Sequence, residues 1–475
     1  MQRVTHNKTK IIATIGPASR DKKMLRALVT EGVDVFRLNF SHGSYEEYTK
    51  IIEDIHAINE EMNVNVAIIQ DLQGPKIRVN EVKDDTVLVK GETIIITTQK
   101  VLGDKNIVST SYQGLPDDVT AGESILIDDG KIELLVKKIE KKEVICEVVY
   151  GGVLKSRKGI NLPYSNVSAP SLTEKDMADL EFGMKSKIDW VALSFVRSSK
   201  DIDILRAILV ENNSTMRIIA KIEKPGALEN LDAIVVASDA LMVARGDLGV
   251  EILMEEVPMV QKMMIEKCNN YAKPVIVATQ MMESMIESPR PTRAETNDVA
   301  NAVIDGADAL MLSAETATGK YPVEVIRSMV RTIESVECES RLFYRFREIK
   351  LHSPIFLSDS IILAACKLAK EVNAKAIVGM TSTGYSAFKT SSHRPNVNIF
   401  IFTENKSAIN ALSLVWATHC YFYEKQTSTD DTIADMEAIL KRDGHVQSGD
   451  IFISLASMPI QVRNRTNMMK INVVK

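Results

Sequence analysis

Eight short apolar runs, each of strand length and each finishing in polar or glycine residues, limit this chain more than anything else in it. They occupy residues 10–16, 33–40, 64–71, 190–195, 218–223, 241–246, 275–280 and 309–313, with amphipathic helical stretches between them. Buried strands alternating with helices are the pattern of parallel strands joined by crossovers. Eight such units predict a TIM (β/α)8 barrel, in which the carboxyl ends of all strands open onto one mouth. At those ends stand Gly16-Pro17, Arg37 to His42, Asp71, Arg197, Lys221 and Glu223, Arg245-Gly246-Asp247, Thr279-Gln280, and Ser313 with Glu315. Polar ends converging on one mouth point to function more than to packing.

The series is interrupted. Residues 75–170 are rich in Val, Ile, Thr, Gly and Lys, with alternating runs such as Thr86-Val-Leu-Val-Lys90 and Glu143-Val-Ile-Cys-Glu-Val-Val149. Period-two alternation predicts a separate small β-barrel domain, inserted after the third strand where it can act as a lid. Residues 1–74 and 171–340 then sum to roughly 240, the size of one (β/α)8 barrel. Beyond the linking stretch Arg341-Leu-Phe-Tyr-Arg-Phe-Arg347, residues 341–475 read as a C-terminal α/β domain for regulation or assembly. Its strand candidates are 375–380, 398–403, 420–423, 450–455 and 470–474. The expected fold is therefore α/β in three parts: barrel, lid and C-terminal domain.

Composition narrows the partners. Fifty-eight basic and sixty-three acidic residues give a net charge of -5, which offers no overall basic face to nucleic acid or to an anionic membrane. The opening Met1-Gln2-Arg3-Val4-Thr5-His6 is not an apolar signal, and no run approaches the ~20 residues of a membrane span. A cytoplasmic location is expected. The five cysteines, at 146, 268, 338, 366 and 420, contain no close pair, so neither a disulfide framework nor a zinc cluster is predicted and a reduced compartment fits.

Lys221 and Glu223 lie two positions apart on one strand, hence on one face. The pair reads as a surface salt bridge or as the floor of a site for a metal and an anion, and its place at the barrel mouth favours the second. Glu223 and Asp247 end neighbouring strands, where two carboxylates can share a divalent ion with room left for water and substrate, as Mg²⁺ prefers. Gly246 lets a ligand approach the backbone. Thr279 can hold an anion or a water through its hydroxyl. Arg37, Asn39, Ser41 and His42 gather at the second strand end and Arg78 follows the third, and guanidinium forks suit phosphate oxygens. Taken singly, each of these has a plain alternative as an ion pair, a helix cap or a tight loop. Together they outline a phosphate and metal site.

These residues sit within longer stretches that carry a resemblance. Ile11-Ile-Ala-Thr-Ile-Gly-Pro-Ala-Ser19, Phe36-Arg-Leu-Asn-Phe-Ser-His-Gly43, Ile219-Ala-Lys-Ile-Glu223, Met242-Val-Ala-Arg-Gly-Asp-Leu-Gly249, Val277-Ala-Thr-Gln-Met281, the run 289–303 and Met311-Leu-Ser-Ala-Glu-Thr-Ala317 follow one another in the order found in pyruvate kinases. The chain resembles that family along nearly its whole length. The resemblance implies phosphoryl transfer from phosphoenolpyruvate to ADP, giving pyruvate and ATP in the last step of glycolysis. It implies that Lys221 stabilises the moving phosphoryl group and the enolate, that Glu223 and Asp247 hold Mg²⁺, and that Arg37, Gly246 and Thr279 bind substrate. Asn39, Phe40, Ser41, His42, Arg78 and Lys158 match nucleotide contacts, and a homotetramer is implied. A fixed ammonium with Mg²⁺ is what phosphoryl transfer needs. Thr279 with a bound water is the candidate proton donor to the enolate.

The chain also departs from the family. Leu72, Gln73 and Lys76 stand where potassium-activated members carry Thr, Lys and Glu, and this set resembles the potassium-independent branch. A tethered ammonium at Lys76 can replace the bound monovalent cation, so Mg²⁺ is expected to be required and K⁺ is not. Gly226 replaces a usually polar residue, and 457–467 lacks glycines common there. In the C-terminal domain Thr381, Ser382, Thr383, Gly384 and Ser386 follow a strand and open a helix, where hydroxyls and amides either hold a sugar-phosphate effector or simply cap the turn. Two other readings compete. A Mg²⁺-dependent lyase or aldolase leaves the lid and third domain unexplained, and a silent phosphoenolpyruvate sensor would be expected to lose Lys221 or a metal ligand.

Overall fold

The structure is a computed structural model and describes residues 7–163, 165, 167–349, 354–425, 428–458 and 465–475; the opening six residues and 459–464 of the glycine-poor stretch lie outside them. All eight apolar runs supply strands of one closed parallel barrel: β1 (Lys10–Thr14), β2 (Val35–Asn39), β3 (Ala67–Asp71), β4 (Trp190–Leu193), β5 (Arg217–Ile222), β6 (Ala240–Ala244), β7 (Val275–Ala278) and β8 (Ala309–Leu312). Neighbours follow chain order, and β8 closes on β1. The strands are buried on both faces, one toward the barrel axis and one toward the helices, which is why they read as continuous apolar runs and not as alternation.

Inside the barrel the strands fill the axis in layers. Ile12, Val35, Ile69, Ala192, Ile219 and Met242 belong to one inner cluster. Two residues further along their strands, the same inward parity reaches Thr14, Arg37, Asp71, Ser194, Lys221 and Ala244. The core thus turns polar one layer below the mouth. Helix starts on that side are fixed by reciprocal caps: Ser44 with Glu47, Thr173 with Asp176, and Thr292 with Glu295.

The inserted segment has its own apolar core and a six-stranded sheet in the order Ile160–Asn161, Ser124–Ile127, Ile132–Glu140, Glu143–Tyr150, Thr93–Thr97, Ile107–Ser109. Both edges of this sheet meet one short segment, where Arg78 bridges Gly159 and Val79 bridges Thr110. The small barrel therefore closes through isolated main-chain bridges and not through a full strand. At its root Gly74 adopts φ +68°, and a side chain there would come within 2.9 Å of Ser194 and Phe195, so this turn requires glycine. Asn161 Nδ2 donates to Glu251 Oε1 at 2.8 Å, tying the insert to the barrel.

The C-terminal domain is a five-stranded sheet ordered Thr418–Phe422, Asn398–Thr403, Ala376–Met380, Ile451–Ala456, Met468–Val473, the last strand antiparallel. It packs against the amino-terminal end of the barrel. The inner barrel cluster continues into Ala411 and Leu414. Lys10 Nζ donates to the Thr418 carbonyl at 3.0 Å, and Arg394 pairs with Asp308 at 3.1 Å with both side chains buried. Among the described residues no helix is long and apolar enough to cross a membrane.

Candidate active site

The polar layer at the mouth is knit by one carboxylate. Asp71 ends β3, is 1% exposed, and accepts from Arg37 Nε at 2.6 Å while its other oxygen lies 3.1 Å from Lys221 Nζ. Lys221 also contacts Glu223 Oε1 at 3.0 Å and donates to Ser194 Oγ at 2.7 Å. Ser194 in turn donates to the Leu72 carbonyl at 2.7 Å. Glu223 accepts the Phe195 N–H at 2.7 Å through Oε2, a contact made possible by the left-handed backbone of Phe195 at φ 55°. Arg37 is completed by Thr14, whose Oγ1 accepts at 3.0 Å. So Lys221 and Glu223 do form an ion pair, but a nearly buried one at the mouth and not a surface bridge.

Charge and burial oppose each other here. Burial alone would raise the Asp71 carboxyl, yet Lys221 and Arg37 outweigh it and hold it below its ordinary value. Burial likewise works against the Lys221 charge, and Asp71 and Glu223 overcome it, so the ammonium is held firmly protonated. Glu223 behaves differently. Burial raises its pKa and the charge of Asp247 adds to the rise, against Lys221. A buried carboxylate penalised by a second, partly exposed one is a fitting donor pair with it for a divalent cation, and hard oxygen donors suit Mg²⁺. Among the described residues there is no cluster of three or more metal-ligating side chains, so the remaining ligand positions would fall to water and substrate.

Asp247 lies in the first turn of the short helix Arg245–Glu251, which follows β6 directly. Lys76, at the root of the insert, approaches it, with Nζ 3.5 Å from Asp247 Oδ1. Gly246 donates its N–H to Thr279 Oγ1 at 2.7 Å. A side chain at Gly246 would meet Thr279 at 3.5 Å, ordinary contact distance, so packing against Thr279 does not itself require the glycine. Thr279 and Gln280 both adopt left-handed backbone, at φ 69° and 52°. That is costly for a β-branched residue. Arg245 secures it by donating to the carbonyls of Ala278 at 3.2 Å and Thr279 at 2.6 Å while pairing with Asp298 at 2.7 Å.

The structure brings Arg37, Lys76, Lys221, Glu223, Gly246, Asp247 and Thr279 to one end of the barrel. The nucleotide candidates divide between two bodies. Asn39 ends β2 and Ser41 and His42 lie on the turn that follows, where Asn39 Oδ1 accepts the Ser41 N–H at 3.2 Å and His42 is exposed. Phe40 is buried, its ring stacked 4.3 Å from Tyr48, its N–H donating to the Asp71 carbonyl at 3.0 Å and its carbonyl accepting from Lys175 at 2.6 Å. Arg78 and Lys158 belong to the insert, Arg78 donating to the Arg157 carbonyl at 3.1 Å and Lys158 pairing with Asp128 at 2.8 Å.

The effector candidates sit far from this mouth, against the barrel base. Thr381 Oγ1 accepts the Gly384 N–H at 2.9 Å and Thr383 Oγ1 accepts that of Tyr385 at 3.4 Å, so both hydroxyls cap their own turn. Gly384 takes φ +87°, the Ser382 carbonyl accepts from Asn405 at 3.0 Å, and Ser386 is buried. Sequence reasoning gave no site role to Asp71, Ser194, Thr14 or Arg245. Asp71 carried a signal, as an acid closing an apolar run; Ser194 and Thr14 carried only their inward parity.

Comparison with known proteins extends this geometry. Residues 6–326 match the family described as pyruvate kinase, barrel domain, and residues 359–472 match pyruvate kinase, alpha/beta domain. The chain is 42% identical over 468 residues to a pyruvate kinase of Corynebacterium glutamicum, covering 98% of each. It is 42% identical over 464 residues to one from Mycobacterium tuberculosis, again covering 98% of each. A crystal structure of a pyruvate kinase from Cryptosporidium parvum superposes with a TM-score of 0.94 at 36% identity, covering 100% of this chain and 97% of that one. With both domain families matched in order and relatives aligned nearly end to end, the chain belongs to the pyruvate kinase family and is a phosphotransferase.

Proposed function

We propose that the chain moves the phosphoryl group of phosphoenolpyruvate to ADP, giving pyruvate and ATP, with Mg²⁺ required and K⁺ dispensable. The observation that carries this reading is the Lys221 ammonium, held protonated between Asp71 and Glu223 within the inner polar layer of the mouth. Glu223 and Asp247 would hold Mg²⁺. When bound, the ion supplies charge for the oxygens of the transferring group.

Without it, the side chains Arg37, Lys76 and Lys221 balance Asp71, Glu223 and Asp247 one for one, so a divalent cation leaves the cluster with the net positive charge a phosphate ester needs. Arg37 orients the phosphate. Lys221 stabilises negative charge first on the phosphoryl oxygens and then on the enolate left when the bond from phosphorus to the enol oxygen breaks. Asp71 and Ser194 fix Lys221 in one place, so little reorganisation is needed as charge develops. A proton must then reach the enolate carbon. Thr279 Oγ1 accepts from the Gly246 N–H and donates to the Ala278 carbonyl at 2.6 Å, which leaves a lone pair to hold the water that delivers it.

Arg78 and Lys158 on the insert and the turn at 39–42 on the barrel flank opposite sides of the nucleotide. Lys76 beside Asp247 supplies, as a tether, the cation that K⁺ supplies elsewhere. The test is ATP formation from phosphoenolpyruvate and ADP with Mg²⁺, K⁺ being replaced by tetramethylammonium. Turnover within about two-fold of that in K⁺ is expected, and a many-fold loss would overturn the potassium reading while leaving the phosphoryl transfer standing. Absence of ATP under both conditions would overturn the reaction itself. We also propose a cytoplasmic homotetramer, which sizing of the purified chain checks.

A further inference from the structure

We propose that the cavity at the amino-terminal end of β5, between the barrel and the C-terminal domain, binds a small organic phosphate, its head held by Arg217 and Lys273 and its body against Tyr271, Tyr385 and Phe388. The cavity measures about 490 Å³, within the range of small-molecule sites. Arg217 opens β5, the strand whose other end carries Lys221; the two are four residues, or roughly 13 Å, apart. This is not the active site.

The charge inventory carries the proposal. Three carboxylates and three cations line the cavity. Asp359 is engaged by Lys389 at 3.1 Å and by the Tyr385 hydroxyl. Asp239 is engaged by Arg206 at 3.0 Å and by the Ile218 N–H at 2.8 Å. Glu348 is exposed to solvent. Two cations remain, and among the described residues neither forms an ion pair. Arg217 donates to the Thr383 carbonyl at 2.9 Å and lies 5.0 Å from the Phe388 ring centre. Lys273 donates to the Ser238 carbonyl at 2.5 Å.

A half-buried cation held by carbonyls and a ring keeps its hydrogen bonds, and the one carboxylate whose charge supports both cations, Asp239, is already paired with Arg206. Burial holds both groups below their ordinary pKa against the opposing charge of Asp239, with Arg206 adding to the depression of each. Two such cations facing one cavity match a phosphate monoester dianion better than a carboxylate. The walls add aromatic surface from both domains, which favours a planar or ring-bearing body over a bare ion.

Phenyl phosphate is the probe, with orthophosphate as the head alone and benzoate as the wrong head. Calorimetric titration of the full chain compares wild type with Lys273→Gln, Lys273→Arg and, as a control for the mouth, Arg37→Gln. Phenyl phosphate is expected to bind wild type, Lys273→Arg and Arg37→Gln alike, and Lys273→Gln at least ~10-fold more weakly, the scale of one lost charge-assisted contact. Orthophosphate and benzoate are expected to bind more weakly than phenyl phosphate. Binding lost in Arg37→Gln but intact in Lys273→Gln would overturn the proposal, as would benzoate matching phenyl phosphate or no binding to wild type.

Discussion

The two ends of β5 hold cations under different regimes. At the carboxyl end Lys221 touches two carboxylates, and Arg37 shares one of them. At the amino end Arg217 and Lys273 rest on carbonyls. The mouth is therefore neutral and rigid before any ligand arrives, so its charges can act on a reacting group without first rearranging. The base matches cations and carboxylates in number, but among the described residues it leaves Arg217 and Lys273 outside any ion pair, with a cavity in front of them. One strand thus presents ion-paired charges at one end and, at the other, cations held by carbonyls with no direct ion pair among the described residues.

Removing the mouth's cation should have the largest effect. Lys221→Met deletes the ammonium and leaves Asp71 and Glu223 to repel each other; kcat is expected to fall at least ~100-fold, the size of a lost oxyanion-stabilising group. Single-turnover assays at saturating phosphoenolpyruvate measure this. Near-normal turnover would mean that compensated charge at the mouth is structural only.

Removing the mouth's shared anion makes that end resemble the base. In Asp71→Asn, Arg37 and Lys221 lose their common carboxylate and Lys221 keeps Glu223 alone. A misplaced ammonium predicts kcat lower by between about 10- and 100-fold, with a smaller change in KM, because substrate would still find two cations. A large rise in KM with kcat unchanged would show that Asp71 shapes binding and not the position of Lys221.

How much of this contrast was legible in the sequence follows from what each end requires. The barrel was visible because each strand is buried on both faces and so reads as a continuous run bounded by polar residues. The mouth was visible because inward parity carries Ile219 to Lys221 and Val35 to Arg37. Asp71 was visible as a strand end, but its role as the link between Arg37 and Lys221 depends on β2, β3 and β5 facing one axis, which a linear reading does not supply. The base was not visible at all. Arg217, Lys273 and Tyr385 come from two domains, and each alone reads as a surface charge or a packing ring. Closure of the insert was hidden for a similar reason, since the segment at Arg78 and Val79 is too short to read as a strand. The hydroxyls of Thr381 and Thr383 accept N–H groups of their own turn, and a turn that caps itself has the same composition as one that binds phosphate, so the sequence leaves both readings open.

The smallest expected effect tests whether the base also leaves an anion uncompensated. Asp189 immediately precedes β4, its Oδ2 accepts the Ile68 N–H at 2.8 Å, and its carbonyl accepts the Arg217 N–H at 3.0 Å. Burial pushes its carboxyl up to about 7, opposed by the Ile68 amide and the Asn410 side chain. The ordinary value of 3.8 applies to the unfolded chain. Between these two values the folded state keeps a proton that the unfolded state has released, so stability from this group falls as pH rises through the interval, and the loss is complete above about 7. Asp189→Asn cannot ionise and removes that slope. Its Tm relative to wild type is expected to climb from pH 5 to pH 8 by a few degrees, the scale on which ~1 kcal/mol moves a larger protein. A difference that stays flat across that range would mean Asp189 has a cationic partner in solution, and the base would then be compensated for its anion though not for Arg217 and Lys273.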